Sequence, residues 1–83
     1  MDIRKRIENE KKFSNWSEQS DSSRIYWFEI EGRLGWKAKY LKKVDKNERT
    51  LSFWQEIYNE KGILVEIHEK YPVDKGHKKI EKS

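Results

Sequence analysis

Ile57-Tyr58-Asn59-Glu60-Lys61-Gly62-Ile63-Leu64-Val65 is the stretch on which the reading of the fold turns. Two runs of β-branched and aromatic residues flank Glu60-Lys61-Gly62, a segment suited to a three-residue hairpin loop with Gly62 in the left-handed position. The stretch therefore predicts two antiparallel strands, Arg49 to Tyr58 and Ile63 to Tyr71, with Ile57 opposite Val65 and Trp54 opposite His68.

The same logic extends toward the N-terminus. Asp45-Lys46-Asn47-Glu48 reads as a turn after a strand from Gly35 to Val44, and Gly32 and Gly35 bracket a turn after a strand from Arg24 to Glu31. Hairpin register then pairs Tyr40 with Phe53, Lys39 with Trp54 and Phe28 with Ala38. One face collects Tyr26, Phe28, Ile30, Trp36, Ala38, Tyr40, Val44, Leu51, Phe53, Ile57, Ile63, Val65, Ile67 and Tyr71, which is the expected core. Ahead of the strands, Asp2 to Lys12 is rich in helix formers, with Asp2 as N-cap, and Ile3, Ile7 and Phe13 are expected to dock it on that core. The polar run Ser17 to Ser23 reads as a linker, and Pro72 to Ser83 as a basic tail that follows the last strand. The expected fold is α+β: an N-terminal helix packed on a four-stranded antiparallel meander. Residues 1–23 form the helix and linker, 24–72 the sheet and 73–83 the tail of a single domain.

Composition bounds what such a chain can be. All aromatic residues except Phe13 and Trp16 lie between Tyr26 and Tyr71, so the core must form there although 41% of the 83 residues are charged. A chain of this length buries only about 60% of the surface its unfolded form exposes. The absence of cysteine excludes disulfides, thiolate metal sites and cysteine nucleophiles. No run approaches the roughly 20 apolar residues of a membrane span, so a cytoplasmic protein with no membrane partner is the expectation. The net charge of +4 suits an acidic partner such as nucleic acid, and also follows from a few extra lysines on a small domain.

The face opposite the expected core carries the candidate site. Register places Trp27, Lys39, Trp54 and His68 in one row, Glu29, Lys37, Glu56 and Glu66 in the next, and Ile25, Leu41, Ser52 and Lys70 in a third. Tyr58 faces outward as well. Lysines interleaved with aromatic rings on an open sheet are what base stacking and phosphate attraction require. Trp27 and Trp54 would stack bases and Lys37, Lys39, Lys43 and Lys70 would follow the backbone, with Tyr58 and with His68 beside Trp54 as further binding candidates. The same residues also read as stabilising cross-strand neighbours with no ligand. For catalysis, His68 and His77 are the only imidazoles; Glu66 and Glu69 are near the first in sequence and Asp74 near the second. No spacing defines a metal site, and no cofactor is expected.

Gly32-Arg33-Leu34-Gly35-Trp36-Lys37-Ala38-Lys39-Tyr40, Tyr58 to Gly62, and Glu66 to His77 together resemble a small prokaryotic family without an assigned activity, over residues about 24 to 80. A strand ending in an aromatic residue and followed by Asp, Gly and His also resembles the end of TumE-type toxin proteins of toxin–antitoxin modules. That resemblance implies Tyr71, Asp74, Gly76 and His77 as positions of interest. The chain departs from the pattern where Lys78 and Lys79 replace paired histidines. The leading expectation is a non-enzymatic binding module for RNA or another single-stranded nucleic acid. The alternatives are a toxin-like ribonuclease acting through His77 or His68, and a protein-interaction or homodimer module that buries Trp27, Ile25, Leu41 and Trp54.

Overall fold

In a computed structural model, residues 1–74 and 76–80 are described. The element order is helix α1 (Ile3–Lys12), then β1 (Asn15–Glu18), β2 (Arg24–Glu31), β3 (Lys37–Val44), β4 (Thr50–Tyr58), β5 (Leu64–Tyr71) and β6 (His77–Lys79). All six strands form one antiparallel sheet in chain order. The α+β class and the central four strands match expectation. The strand count does not: six replace four, because the polar linker and the tail each supply an edge strand. The linker competes less with regular structure than its composition suggests, since Arg24 reaches back to Glu18 and ties β1 in place. In the tail, β6 pairs Glu66 with Lys79, Ile67 with Lys78 and His68 with His77. Lys75 lies outside the described residues.

Four of the hairpin loops share one local solution. The N–H of the first loop residue donates to the carbonyl four residues on, at Gln19–Ser23 (2.8 Å), Gly32–Trp36 (2.7 Å), Asp45–Arg49 (2.9 Å) and Asn59–Ile63 (3.0 Å). The residue before that acceptor has a positive φ in every case: Ser22, Gly35, Glu48 and Gly62. Gly62 fulfils the expected left-handed position at no steric cost. Asn59 and Asp45 add side-chain acceptors for the N–H groups inside their loops, which fixes the turns locally.

Strand alternation fails at three bulges, and these correct the expected faces. Leu51 is the extra residue opposite the Lys43–Val44 step, and Val65 and Lys70 are extra residues on β5. Each bulge advances one strand by one position and so reverses alternation beyond it. His68 consequently pairs with Gln55 rather than Trp54, and Ile67 pairs with Glu56. His68 thus leaves the outer row predicted for it, and Ile67 takes the opposite face. Hairpin registers on β3 also move by two residues, to Phe28–Tyr40 and Tyr40–Gln55, which preserves the faces but changes the rows.

The buried core is small: Phe13, Tyr26 and Val44 are fully enclosed, with Phe28 and Phe53 packed against them. Helix α1 meets the sheet by a stripe at helical spacing, Arg6, Asn9, Glu10 and Phe13. Ile3 and Ile7 are 63% and 48% exposed, so they do not dock the helix as expected. Polar contacts do that work. Arg6 Nε and Asn9 Nδ2 donate to Glu48, which is 2% exposed, and Arg24 donates to Glu10. Trp36, Ile30 and Leu51, also expected in the core, are exposed at the margins of the sheet.

Candidate nucleic-acid interface

The register defines two faces. On the side covered in part by α1, one cross-strand row runs Phe28, Tyr40, Gln55, His68 and His77, and the next runs Trp16, Tyr26, Lys42, Phe53 and Tyr71. Rings follow one another across these rows: Phe13 on Phe28 (5.4 Å between centroids), Phe28 stacked on Tyr40 (5.1 Å) and Tyr40 on Phe53 (6.5 Å). Helix α1 meets β2 through Glu10 and Phe13, β3 through Asn9 and the loop before β4 through Arg6, whereas Tyr71 and His77 at the β5–β6 end are exposed.

Beside α1, from Lys5 in its first turn to Lys12 in its last, an open groove of about 750 Å³ is lined by Phe53 and Tyr71 and by Lys5, Lys12, Lys42 and Arg49. Asp45 is the one acidic residue in its lining. Tyr71 is 47% exposed, and Leu51 lies beside it because of its bulge. Lys42 donates to Asn9 Oδ1 at 2.9 Å. Burial, and then the nearby Lys12 and Lys5 charges, hold the Lys42 ammonium below its ordinary value, although Glu48 opposes the shift. An incoming anion would oppose both effects, because a nearby opposite charge favours the charged ammonium.

The opposite face keeps most of the residues singled out in the sequence but in a different arrangement. Its central row is Asn15, Trp27, Leu41, Trp54 and Glu69, so Leu41, which is buried, separates the two indoles where Lys39 was expected. Lys39 stands diagonally, with Nζ 5.1 Å from the Trp27 ring centroid, worth about 0.5–1 kcal/mol. Trp54 Nε1 and the Tyr58 hydroxyl both donate to Glu56, at 2.9 and 2.6 Å. Burial, followed by that hydrogen bond to Glu56, pushes the Tyr58 phenol up to about 12. Lys37 sits 3.8 Å from Glu29. Lys37, Lys39 and Tyr58 do line a shared cleft of about 400 Å³, but Glu29 and Glu60 line it too, so its charge is balanced.

Lys70 leaves the third row expected for it beside Ser52. As a bulge residue it turns to the helix side, with Nζ 5.3 Å from the centroid of the Tyr40 ring. His68 and His77, distant in sequence terms, become cross-strand partners with ring centroids 4.3 Å apart. Their carboxylates are exchanged relative to the sequence reading. Asp74 Oδ1 meets His68 Nε2 at 2.6 Å, and Glu66 Oε1 meets His77 Nδ1 at 2.9 Å. The His68 contact, with the Gly76 N–H, holds Asp74 below the usual carboxylate range. Asp74 and Gly76 therefore act together in the turn before β6, whereas Tyr71 faces the groove.

The groove cations were missed because they come from α1, β3 and the Asp45–Arg49 loop, segments whose convergence depends on how the helix docks. The signal available in the sequence was the polar Arg6, Asn9, Glu10 spacing leading to Phe13. Among the described residues no cluster of three or more His, Asp or Glu side chains is placed to hold a metal ion. No helix among them is long and apolar enough to cross a membrane. Comparison with protein-family models, with curated proteins and with solved structures finds no match to this chain.

Proposed function

We propose that the chain is a binding module for single-stranded nucleic acid and that the ligand lies in the groove between α1 and the open end of the helix-side face. One observation carries this reading: four cationic side chains line a groove together with Phe53 and Tyr71, and Asp45 is the single acidic residue in that lining. Phosphates would be drawn to Lys5, Lys12, Lys42 and Arg49, while a base stacks on the exposed Tyr71 ring. The Trp27 and Trp54 face serves this chemistry less well, because Glu29 and Glu56 accept from or pair with the groups that would contact a strand. The resemblance of the C-terminal segment to TumE-type toxins is compatible with an RNA ligand and adds nothing to the geometry.

Fluorescence anisotropy with labelled single-stranded RNA and DNA tests the proposal. Affinity should fall steeply between roughly 50 and 200 mM salt, and Lys42→Gln or Arg49→Gln should each reduce the salt slope by about 1. Trp54→Ala should bind as the parent does. Absence of binding at low salt rejects the proposal. Binding that depends on Trp54 and not on Lys42 would move the ligand to the opposite face.

A further inference from the structure

We infer that His77 is the general base of a metal-independent RNA-cleaving site on the open half of the helix-side face, with Glu66 as its positioning residue. The inference rests on the reading that this face receives a single strand, and it adds chemistry to it. His77 ends the row Phe28, Tyr40, Gln55, His68, so it stands on the same side as the groove and the Tyr40 ring. Its side chain is 47% exposed, whereas that of His68 is 14% exposed. Glu66 Oε1 lies 2.9 Å from His77 Nδ1. The tautomer with its proton on Nδ1 leaves Nε2 as a lone-pair base, and a carboxylate on the far nitrogen stabilises the imidazolium that forms.

The ring is fixed on its other side. His68 packs against it at 4.3 Å and is itself held by Asp74, while its Nδ1 is buried with no hydrogen-bond partner among the described residues. Lys79 follows two residues after His77 on the same strand and pairs with Glu66, which places it on the same face. Lys70, over the Tyr40 ring, faces the same side. Two cations on the face that carries an exposed imidazole are the groups a phosphodiester needs as negative charge builds on its oxygens.

The step balances without a metal or a redox partner. His77 Nε2 takes the proton of a ribose 2′-hydroxyl, and O2′ attacks the adjacent phosphorus. The P–O5′ bond breaks, and the proton held on His77 passes to the departing O5′. The products are a 2′,3′-cyclic phosphate and a free 5′-hydroxyl, and the imidazole returns to its starting state.

The test incubates the full chain with an end-labelled single-stranded RNA in EDTA and identifies the product termini by mass spectrometry. Binding is measured in parallel on the 2′-O-methyl strand of the same sequence, which cannot be cleaved by this route. Cyclic phosphate ends are expected, with the rate reduced about 100-fold or more in His77→Asn while binding of the 2′-O-methyl strand is retained. Glu66→Gln should also lower the rate, with binding and circular dichroism unchanged. If the uncleavable strand binds and the RNA stays intact, the cleavage inference is overturned and the binding reading stands. Cleavage that survives in His77→Asn, purified identically, also overturns it. If the uncleavable strand does not bind, both readings fall.

Discussion

Arg6 and Glu48 are separated by 42 residues, yet Arg6 Nε donates to the Glu48 carboxylate at 3.0 Å, and Glu48 adopts a left-handed backbone, φ 64°, in the turn from which it does so. The equivalent loop position in the next hairpin is Gly62, which takes the same conformation without strain. A buried carboxylate that also accepts from Asn9 and Tyr26 offsets that cost.

Glu48→Ala should destabilise the fold by about 3–5 kcal/mol, because Arg6, Asn9 and Tyr26 lose a shared partner in a buried place. Glu48→Gly loses the same partner but relieves about 1–2 kcal/mol of left-handed strain, so it should be the milder change. Urea denaturation of the two variants decides the point. Equal losses would show that the turn is not strained.

Phe13 is fully buried between Tyr26 and Phe28, and its truncation to Ala should cost about 3–5 kcal/mol and release the helix from the sheet. Ile3→Lys and Ile7→Lys should change stability by no more than about 0.5 kcal/mol, since both side chains are exposed. Thermal melts followed at helix and tyrosine wavelengths separate these outcomes. A large effect at Ile7 would mean that it is covered in solution.

Gly62 and Gly35 should respond differently to alanine. A methyl group on Gly62 meets nothing within 4 Å, so Gly62→Ala should cost only the backbone penalty of about 1–2 kcal/mol. At Gly35 the added carbon would also come 3.3 Å from Glu60 Cβ, and the loss should be larger. Denaturation midpoints of the two variants provide the comparison.

Stability should fall at both ends of the pH range, for different residues. Burial, then Glu56, raises the Tyr58 phenol to about 12, and burial, then Glu48, raises Tyr26. A raised folded-state value means that each contribution is whole below the unfolded value of about 10 and is lost as pH climbs through the folded one. Glu18, held down by the Arg24 hydrogen bond, and Asp45, held down by the backbone N–H groups of Arg49 and then Asn47, behave oppositely. Their contributions are present above about pH 4 and disappear as pH falls through their lowered values. Melting temperature plotted against pH should show both declines, and Tyr58→Phe should soften only the alkaline one.

Sequence periodicity located β2 from Arg24 to Glu31 and the ends of β3, β4 and β5 closely, because turn chemistry and alternation report on the same backbone. It misplaced His68 because a bulge leaves no compositional trace: Val65 reads as one more apolar strand residue. The helix docking face was hidden for a related reason. Ile3 and Ile7 look like a core stripe, but the buried contacts go to Arg6 and Asn9, whose partners Glu48 and Lys42 are found only once the sheet is assembled. The groove inherits that difficulty, since Lys5 and Lys12 meet Tyr71 through the helix.

The two extra residues of β5 act as expansion joints. Loss of Val65 or Lys70 would make the strand regular and keep His68 beside Gln55 and His77, at the cost of the Val65 carbonyl that accepts the Ile80 N–H or of the cation over Tyr40. Loss of Ile67, an equally small change in length, would turn His68 to the far side of the sheet and break the ring row. The same one-codon deletion therefore keeps the register of the row at two positions of this strand and inverts it at a third, so the aligned row constrains where the gene can shorten.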